Sequence, residues 1–280
     1  MAVASGSLTV LGSSGGFPIS GFACSGYLAR IAGQSLLLDC GPGIAGALIG
    51  ADAKAGIDGV VISHLHSDHV LDLIPLGYAL MTEWLTDGRT QPVPLYLPPG
   101  GLEFLQSFSD LFGHRNWRFT EEGRNAGYQA LGAALARGRD WLLTVFDARE
   151  YEPGEDIAFG TTTIATFPVD HRVPTAAMRL RLGAMDFVYS ADTRFLPALG
   201  HFAAGTDLFL VDAHFSGPKA PGGLHMTPAD AGRLAAIAKA KRLVLCHLGA
   251  PEDGASARQT AAAHFDGEIH VAFDTREYRL

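Results

Sequence analysis

Short apolar runs broken by glycine-rich turns set the pattern of the first hundred residues. Leu8-Thr9-Val10-Leu11, Tyr27 to Ile31 and Ser35-Leu36-Leu37-Leu38 have the length and composition of strands. The turns Gly12-Ser13-Ser14-Gly15-Gly16 and Gly41-Pro42-Gly43 permit positive φ and close backbone approach. Such a Gly/Ser loop after a strand either cradles an anion or is a plain tight turn. Gly59-Val60-Val61-Ile62 reads as a buried strand, Val70 to Thr86 as a helix, Val93 to Leu97 as a strand and Leu102 to Phe112 as a helix. From Glu121 to Gly138, Ala and Leu recur at helical spacing with four glycines among them, which suits a helical insertion or lid at about 113–152. Strand patterns resume at Thr163 to Phe167, Ala177 to Leu182, Phe187 to Tyr189 and Leu208 to Val211. Thr227-Pro228-Ala229-Asp230 marks a helix start, with Thr227 as cap, proline in the first turn and Asp230 at the capping-box position. That helix is expected to reach about Lys241, followed by a buried strand Leu243 to Cys246 and a last strand Ile269 to Phe273. No low-complexity linker or charge block divides residues 1–280, so one continuous domain of sheets covered by helices is expected.

Composition narrows the class. With 48% hydrophobic and 18% charged residues and 34 glycines among 280, the chain suits a well-buried α/β core with many tight turns. The formal charge of -8 argues against a broad phosphate-binding face, because nucleic-acid binders need an excess of Lys and Arg. Cys24, Cys40 and Cys246 are widely spaced and form no Cys-x-x-Cys pair, so neither a disulfide framework nor a thiolate zinc site is suggested. A reduced, cytoplasmic setting is the expectation. No leader pattern and no bilayer-length apolar run is present; the stretch Val70 to Leu85 is interrupted by Asp72, Pro75, Gly77 and Glu83. A soluble protein with no membrane partner is expected.

The chemistry concentrates in Ser63-His64-Leu65-His66-Ser67-Asp68-His69. Three imidazoles and a carboxylate fall within six residues, straight after an apolar strand. Placed at a sheet edge, those nitrogens and oxygens can converge on metal, and the mixture suits zinc or a similar transition metal. The arrangement of strand followed by ligand type recurs. Pro168-Val169-Asp170-His171 follows the strand ending at Phe167, Asp192 follows Tyr189-Ser190-Ala191, and His247 follows Leu243 to Cys246.

His64-x-His66-x-Asp68-His69, with His171, Asp192 in Ser-Ala-Asp-Thr and His247 in Leu-Cys-His-Leu, resembles the metallo-β-lactamase superfamily, in particular its ribonuclease Z-like branch. Leu11 to Gly16, Ser25-Gly26-Tyr27-Leu28, Leu38-Asp39-Cys40-Gly41-Pro42-Gly43 and His225-Met226-Thr227 support it, and it runs from about Ser7 to Phe273. The resemblance implies an α/β fold of αββα layers with two divalent metal ions, zinc first and manganese or iron as alternatives. Carried over by position, His64, His66 and His171 hold one ion, Asp68, His69 and His247 the other, and Asp192 bridges both. It further implies hydrolysis by a metal-bridging hydroxide, with Asp68 orienting it or taking its proton.

His225 resembles the histidine of that branch that stabilises developing charge or protonates the leaving oxygen. Asp212 stands where the branch often has a glutamate that orients it, and a carboxylate–imidazole pair fixes tautomer and raises basicity. His201 and His214 read as surface or turn histidines. Members that process tRNA carry a long arm between the positions of His171 and Asp192, whereas only Arg172 to Ala191 lies there in this chain. With the negative charge, this makes tRNA an unexpected substrate. The cations nearest the ligands are Arg172, Arg179, Arg181 and Arg194; either one of them pairs with a phosphate or sulfate, or they are exposed strand arginines paired with surface acids, the commoner case. A phosphodiesterase on a small anionic substrate such as a cyclic nucleotide is the leading expectation. Sulfate ester, lactone or thioester hydrolysis are alternatives, and a non-catalytic metal-binding sensor is one of another class. A homodimer is implied by analogy alone. Trp117, Phe119, Tyr128 and Trp141 of the insertion either wall the pocket or pack the insertion onto the domain.

Overall fold

The computed structural model describes residues 6–19, 21–31, 33–50, 56–86, 89–112, 125–137, 140–182, 185–215, 223–249, 254–272 and 277–279. Within them the chain forms two mixed sheets. The first runs in the order β14 (Glu277–Arg279), β1 (Ser7–Gly12), β2 (Gly26–Ile31), β3 (Gln34–Leu38), β4 (Gly59–Val61), β5 (Val93–Leu97) and β6 (Phe146–Glu150). Pairing is antiparallel from β14 to β3 and parallel from β3 to β6. The second runs β13 (Glu268–Val271), β12 (Arg242–Cys246), β11 (Leu208–Asp212), β10 (Met185–Tyr189), β9 (Ala176–Leu182), β8 (Thr162–Pro168) and β7 (Ile157–Phe159). Here β13 to β10 are parallel and β10 to β7 antiparallel.

Parallel neighbours need crossovers, and the crossovers carry the helices. These are α1 (Ile44–Gly50), α2 (Ser67–Val70), α3 (Leu73–Thr86), α4 (Gly101–Phe112), α5 (Ala126–Ala136) and α6 (Leu142–Val145) in the first half. The second half has α7 (Pro197–Phe202), α8 (Pro228–Ala238) and α9 (Gly254–Ala262).

Side-chain alternation along the strands assigns the layers. Leu36, Leu38 and Val61 meet Leu208 and Leu210 in a core between the two sheets. Their neighbours point outward: Leu37 and Val60 pack with Leu73, Leu76 and Leu80 of α3, and Phe209 and Val211 pack with Leu234 and Ala235 of α8. The four layers are therefore α, β, β and α, and the carboxyl ends of β4, β10, β11 and β12 share one edge of the sandwich.

The helix expected over 70–86 is divided. After α2, Asp72 accepts from the backbone N–H of Gly43 and Ala45 at 2.9 Å each, tying the start of α1 to the start of α3. The capping box of α8 forms as its sequence implies. The helix stops at Ala238, three residues early, because Lys239 takes a left-handed conformation at φ 51. In the 113–152 segment, Trp117 and Phe119 lie outside the described residues. Trp141 is buried with its ring 4.7 Å from that of Tyr78, and Phe146 joins the same core, so the later part of the segment packs onto the first sheet.

Candidate metal centre

Strand β4 delivers the chain to Ser63 and His64, and α2 then places Asp68 and His69 on its first turn. Beneath them sits Asp39, fully buried just past β3 at φ 59. Its carboxylate accepts from the Ser63 N–H (2.7 Å), the Ser63 hydroxyl (2.8 Å), the Tyr189 hydroxyl (2.8 Å) and His69 Nδ1 (2.8 Å). Since a carboxylate only accepts, Nδ1 of His69 carries the proton and Nε2 faces the centre. The loop after β1 cradles a carboxylate of the chain itself: the Gly16 N–H donates to Asp68 Oδ2 at 2.7 Å. A Cβ at Gly15 would fall 2.5 Å from His214 Nδ1 and 2.8 Å from the His247 ring, so only glycine fits there.

The side chains gather in groups that could hold metal. One nitrogen each of His64, His66 and His171 come together, as do Asp68, His69, Asp192 and His247; Asp192, Asp212, His225 and His247 make a third set. Asp192 belongs to the second and third sets, and its Oδ2 also faces His64 of the first. That oxygen lies 3.7 Å from His64 Nε2, 3.4 Å from His69 Nε2 and 3.2 Å from His247 Nε2. His69 Nε2 and His247 Nε2 are 3.4 Å apart, and His171 Nε2 is 3.1 Å from His66 Nδ1. His64 Nε2 and Asp192 Oδ1 are buried with no hydrogen-bond partner among the described residues. Buried polar atoms are normally satisfied. Converging lone pairs left unsatisfied are what a cation would complete, so the donor set fits divalent metal.

The charges respond to this crowding. Burial and the neighbouring His69 push His64 well below the usual imidazole range. Burial likewise lowers His66 and His171. For His69 burial opposes protonation, yet Asp192 and Asp39 override it and lift the group to about 10. His247 is raised in the same way, burial being outweighed by Asp192, Asp212 and Asp68. Asp192 and Asp68, although buried, are held below the carboxylate range by the histidines around them.

The structure also brings His225 and Asp212 together, with His225 Nδ1 at 3.0 Å from Asp212 Oδ2. Asp212 further accepts from the backbone N–H of Thr193 and His214. His214 is not the surface histidine expected. It is half-buried, its ring stacked 4.7 Å from that of His225, because the glycine at position 15 leaves room for it. His201 is exposed on α7. Of the four arginines, Arg179 and Arg181 pair with Asp186 and Arg194 pairs with Asp170. Arg172, beside His171, is exposed and forms no ion pair among the described residues. Sequence reasoning gave no role to Asp39, Tyr189 or His214. Asp39 alone left a signal: an acid directly after the apolar run Leu36-Leu37-Leu38, the same pattern that singled out Asp192.

No helix of the described residues is long and apolar enough to cross a membrane. The beta-lactamase superfamily domain matches residues 34–248. The probable metallo-hydrolase YhfI of Bacillus subtilis is 29% identical over 268 residues, covering 95% of this chain and 96% of that protein. The crystal structure of YhfI, a metallo-β-lactamase fold protein, superposes with a TM-score of 0.79 at 26% identity, covering 99% of this chain and 100% of the other. A ribonuclease Z of Mycobacterium bovis is 31% identical over 207 residues, 71% of this chain and 67% of that protein. Fold, clustered histidines and aspartates, and relatives agree: the chain belongs to the beta-lactamase superfamily, among its metallo-hydrolases of ribonuclease Z-like kind.

Proposed function

We propose that the chain is a binuclear metal-dependent hydrolase acting on a small anionic phosphodiester, a cyclic nucleotide being one such molecule. The observation that supports it most is Asp192 Oδ2, within 3.2 to 3.7 Å of nitrogens from His64, His69 and His247, so that one carboxylate lies beside nitrogens of both ligand groups. In this reading His64, His66 and His171 would hold one ion and Asp68, His69 and His247 the second, with Asp192 shared between them. Zinc suits this set, and manganese and iron accept it. Bound together, such ions supply Lewis acidity and a water activated near neutral pH.

The protein's own groups do the rest. Asp68 is fixed through Oδ2 by the Gly16 N–H, which leaves Oδ1 to orient a water or take its proton. His225 donates its Nδ1 proton to Asp212, so Nε2 is the nitrogen available to the leaving oxygen. Asp212 fixes that tautomer. The span between His171 and Asp192 is taken up by the antiparallel pair β9 and β10, which supports a small substrate rather than a tRNA.

Metal analysis by mass spectrometry on gently purified protein should find about two ions per chain, and fewer than about one would remove the binuclear reading. Turnover is then tested on bis(p-nitrophenyl) phosphate, cyclic nucleotides, aryl sulfates, lactones, thioesters and a precursor tRNA, with His66→Ala as control. The diesters should be cleaved by the parent and not by the variant. Equal rates for parent and variant would end the metal-hydrolase reading. Metal bound without any turnover would favour the sensor.

A further inference from the structure

We infer that His214 is a positioning residue that clamps the backbone of His247. His247 is a non-glycine residue at φ 56, in the left-handed region that L-residues adopt at an energetic cost. Such a conformation persists only where its surroundings hold it, and a candidate ligand depends on that hold for its aim. His214 supplies it directly. Its Nδ1 lies 3.2 Å from the carbonyl oxygen of His247. A carbonyl only accepts, so Nδ1 is the donor.

Backbone bonds close the frame around this contact. The Gly249 N–H donates to the His214 carbonyl at 3.2 Å, the Ala213 N–H donates to the Cys246 carbonyl at 3.0 Å, and the Gly15 N–H donates to the Leu248 carbonyl at 3.2 Å. The His214 ring occupies the space that glycines leave, since a Cβ at Gly15 would stand 2.5 Å from Nδ1 and one at Gly249 3.3 Å from the ring. The same ring stacks on His225 at 30° between planes, and His225 stacks on His247 at 16°. One side chain therefore fixes the main chain of a candidate ligand and backs the ring paired with Asp212.

The clamp rests on the proposed ligand role of His247 for its consequence, but not for its geometry. Outer groups that orient metal ligands typically change metal affinity 10- to 100-fold when lost. His214→Asn keeps a donor near the Nδ1 position, whereas His214→Phe keeps a ring and removes the donor. Zinc titration of each protein against a competing chelator should show one of the two metal equivalents weakened about tenfold or more in the Phe variant, and within about threefold of the parent in the Asn variant. A Phe variant that binds zinc like the parent, or an Asn variant as weak as the Phe variant, overturns the clamp. Should the Phe variant fail to fold, His214→Leu, close in shape to Asn but without a donor, replaces it in the same comparison. Hydrogen exchange of residues 247–249 in metal-free protein reads the clamp without any ion. Faster exchange in the Phe or Leu variant with protection kept in the Asn variant is expected, and equal exchange in all overturns it. A parent that binds metal yet cleaves no ester removes the hydrolase reading and leaves the clamp intact.

Discussion

Among the described residues, Asp39 carries more hydrogen bonds than any ligand candidate, and it is fully buried. It receives four donors, one of them the Tyr189 hydroxyl from the opposite sheet, and through His69 it sets the proton count of the centre. That count has a pH consequence for metal-free protein. His69 rises from 6.5 to about 10 on folding, so its contribution to stability is complete below pH 6.5 and is lost as pH climbs through about 10. His247 is raised as well and adds in the same sense. The thermal midpoint of metal-free protein should fall across that window, while metal affinity rises as the ligand nitrogens lose protons. A flat midpoint from pH 6.5 to 10 would contradict the assignment. A second expectation concerns Arg172, the exposed cation beside His171, which forms no ion pair among the described residues. Arg172→Ala should raise KM about fivefold for an anionic diester, the equivalent of about 1 kcal/mol at an exposed site, and leave a neutral ester unaffected. Equal effects on both esters would assign it a structural role.

Among the elements, the turn after β3 and the start of α2 are the most tightly joined. The Cys40 N–H donates to the His69 carbonyl at 2.7 Å, and a Cβ at Gly41 would lie 1.9 Å from the Asp68 carbonyl oxygen. The Asp68 carbonyl is backbone and cannot swing aside. Gly41→Ala should therefore cost about 2–3 kcal/mol in denaturant unfolding and reduce bound metal in the fraction that folds. A variant with parental stability and metal content would show that the turn yields. This junction also shows what was legible in the chain. The apolar run Gly59 to Ile62 ahead of three histidines announces β4 and its cargo, and Thr227 to Asp230 announces α8, because both signals are local. Strand β6, Phe-Asp-Ala-Arg-Glu, has a single fully buried residue and lies at a sheet edge, so it lacks the alternation that marks a strand. Helix α9 is held by small residues: Gly232 of α8 comes so close to Ala261 that a Cβ there would be 2.5 Å from its carbonyl. No hydrophobic stripe records such contact. His214 was misread for a related reason, since its role depends on ring neighbours at positions 225 and 247 and on a missing Cβ at position 15.

The whole molecule joins its halves through the candidate ligands and through the Asp39–Tyr189 hydrogen bond. With a continuous core between the sheets, near-UV and far-UV signals should report one shared unfolding transition, which metal shifts upward. At one hundred times its dissociation constant, an ion bound only by the folded chain adds about 2.7 kcal/mol. Two separated transitions would instead divide the chain into two domains. The sandwich also imposes an order in time. His64 to His69 leave the ribosome about a hundred residues before His171, and His247 follows about 75 residues later still. If these residues are the proposed ligands, a nascent chain displays an unfinished chelating cluster, open to ions of the wrong geometry. In the proposed centre, loading of the full ligand set would wait for His247, and cells with excess copper or nickel should yield more misloaded protein than cells starved of them.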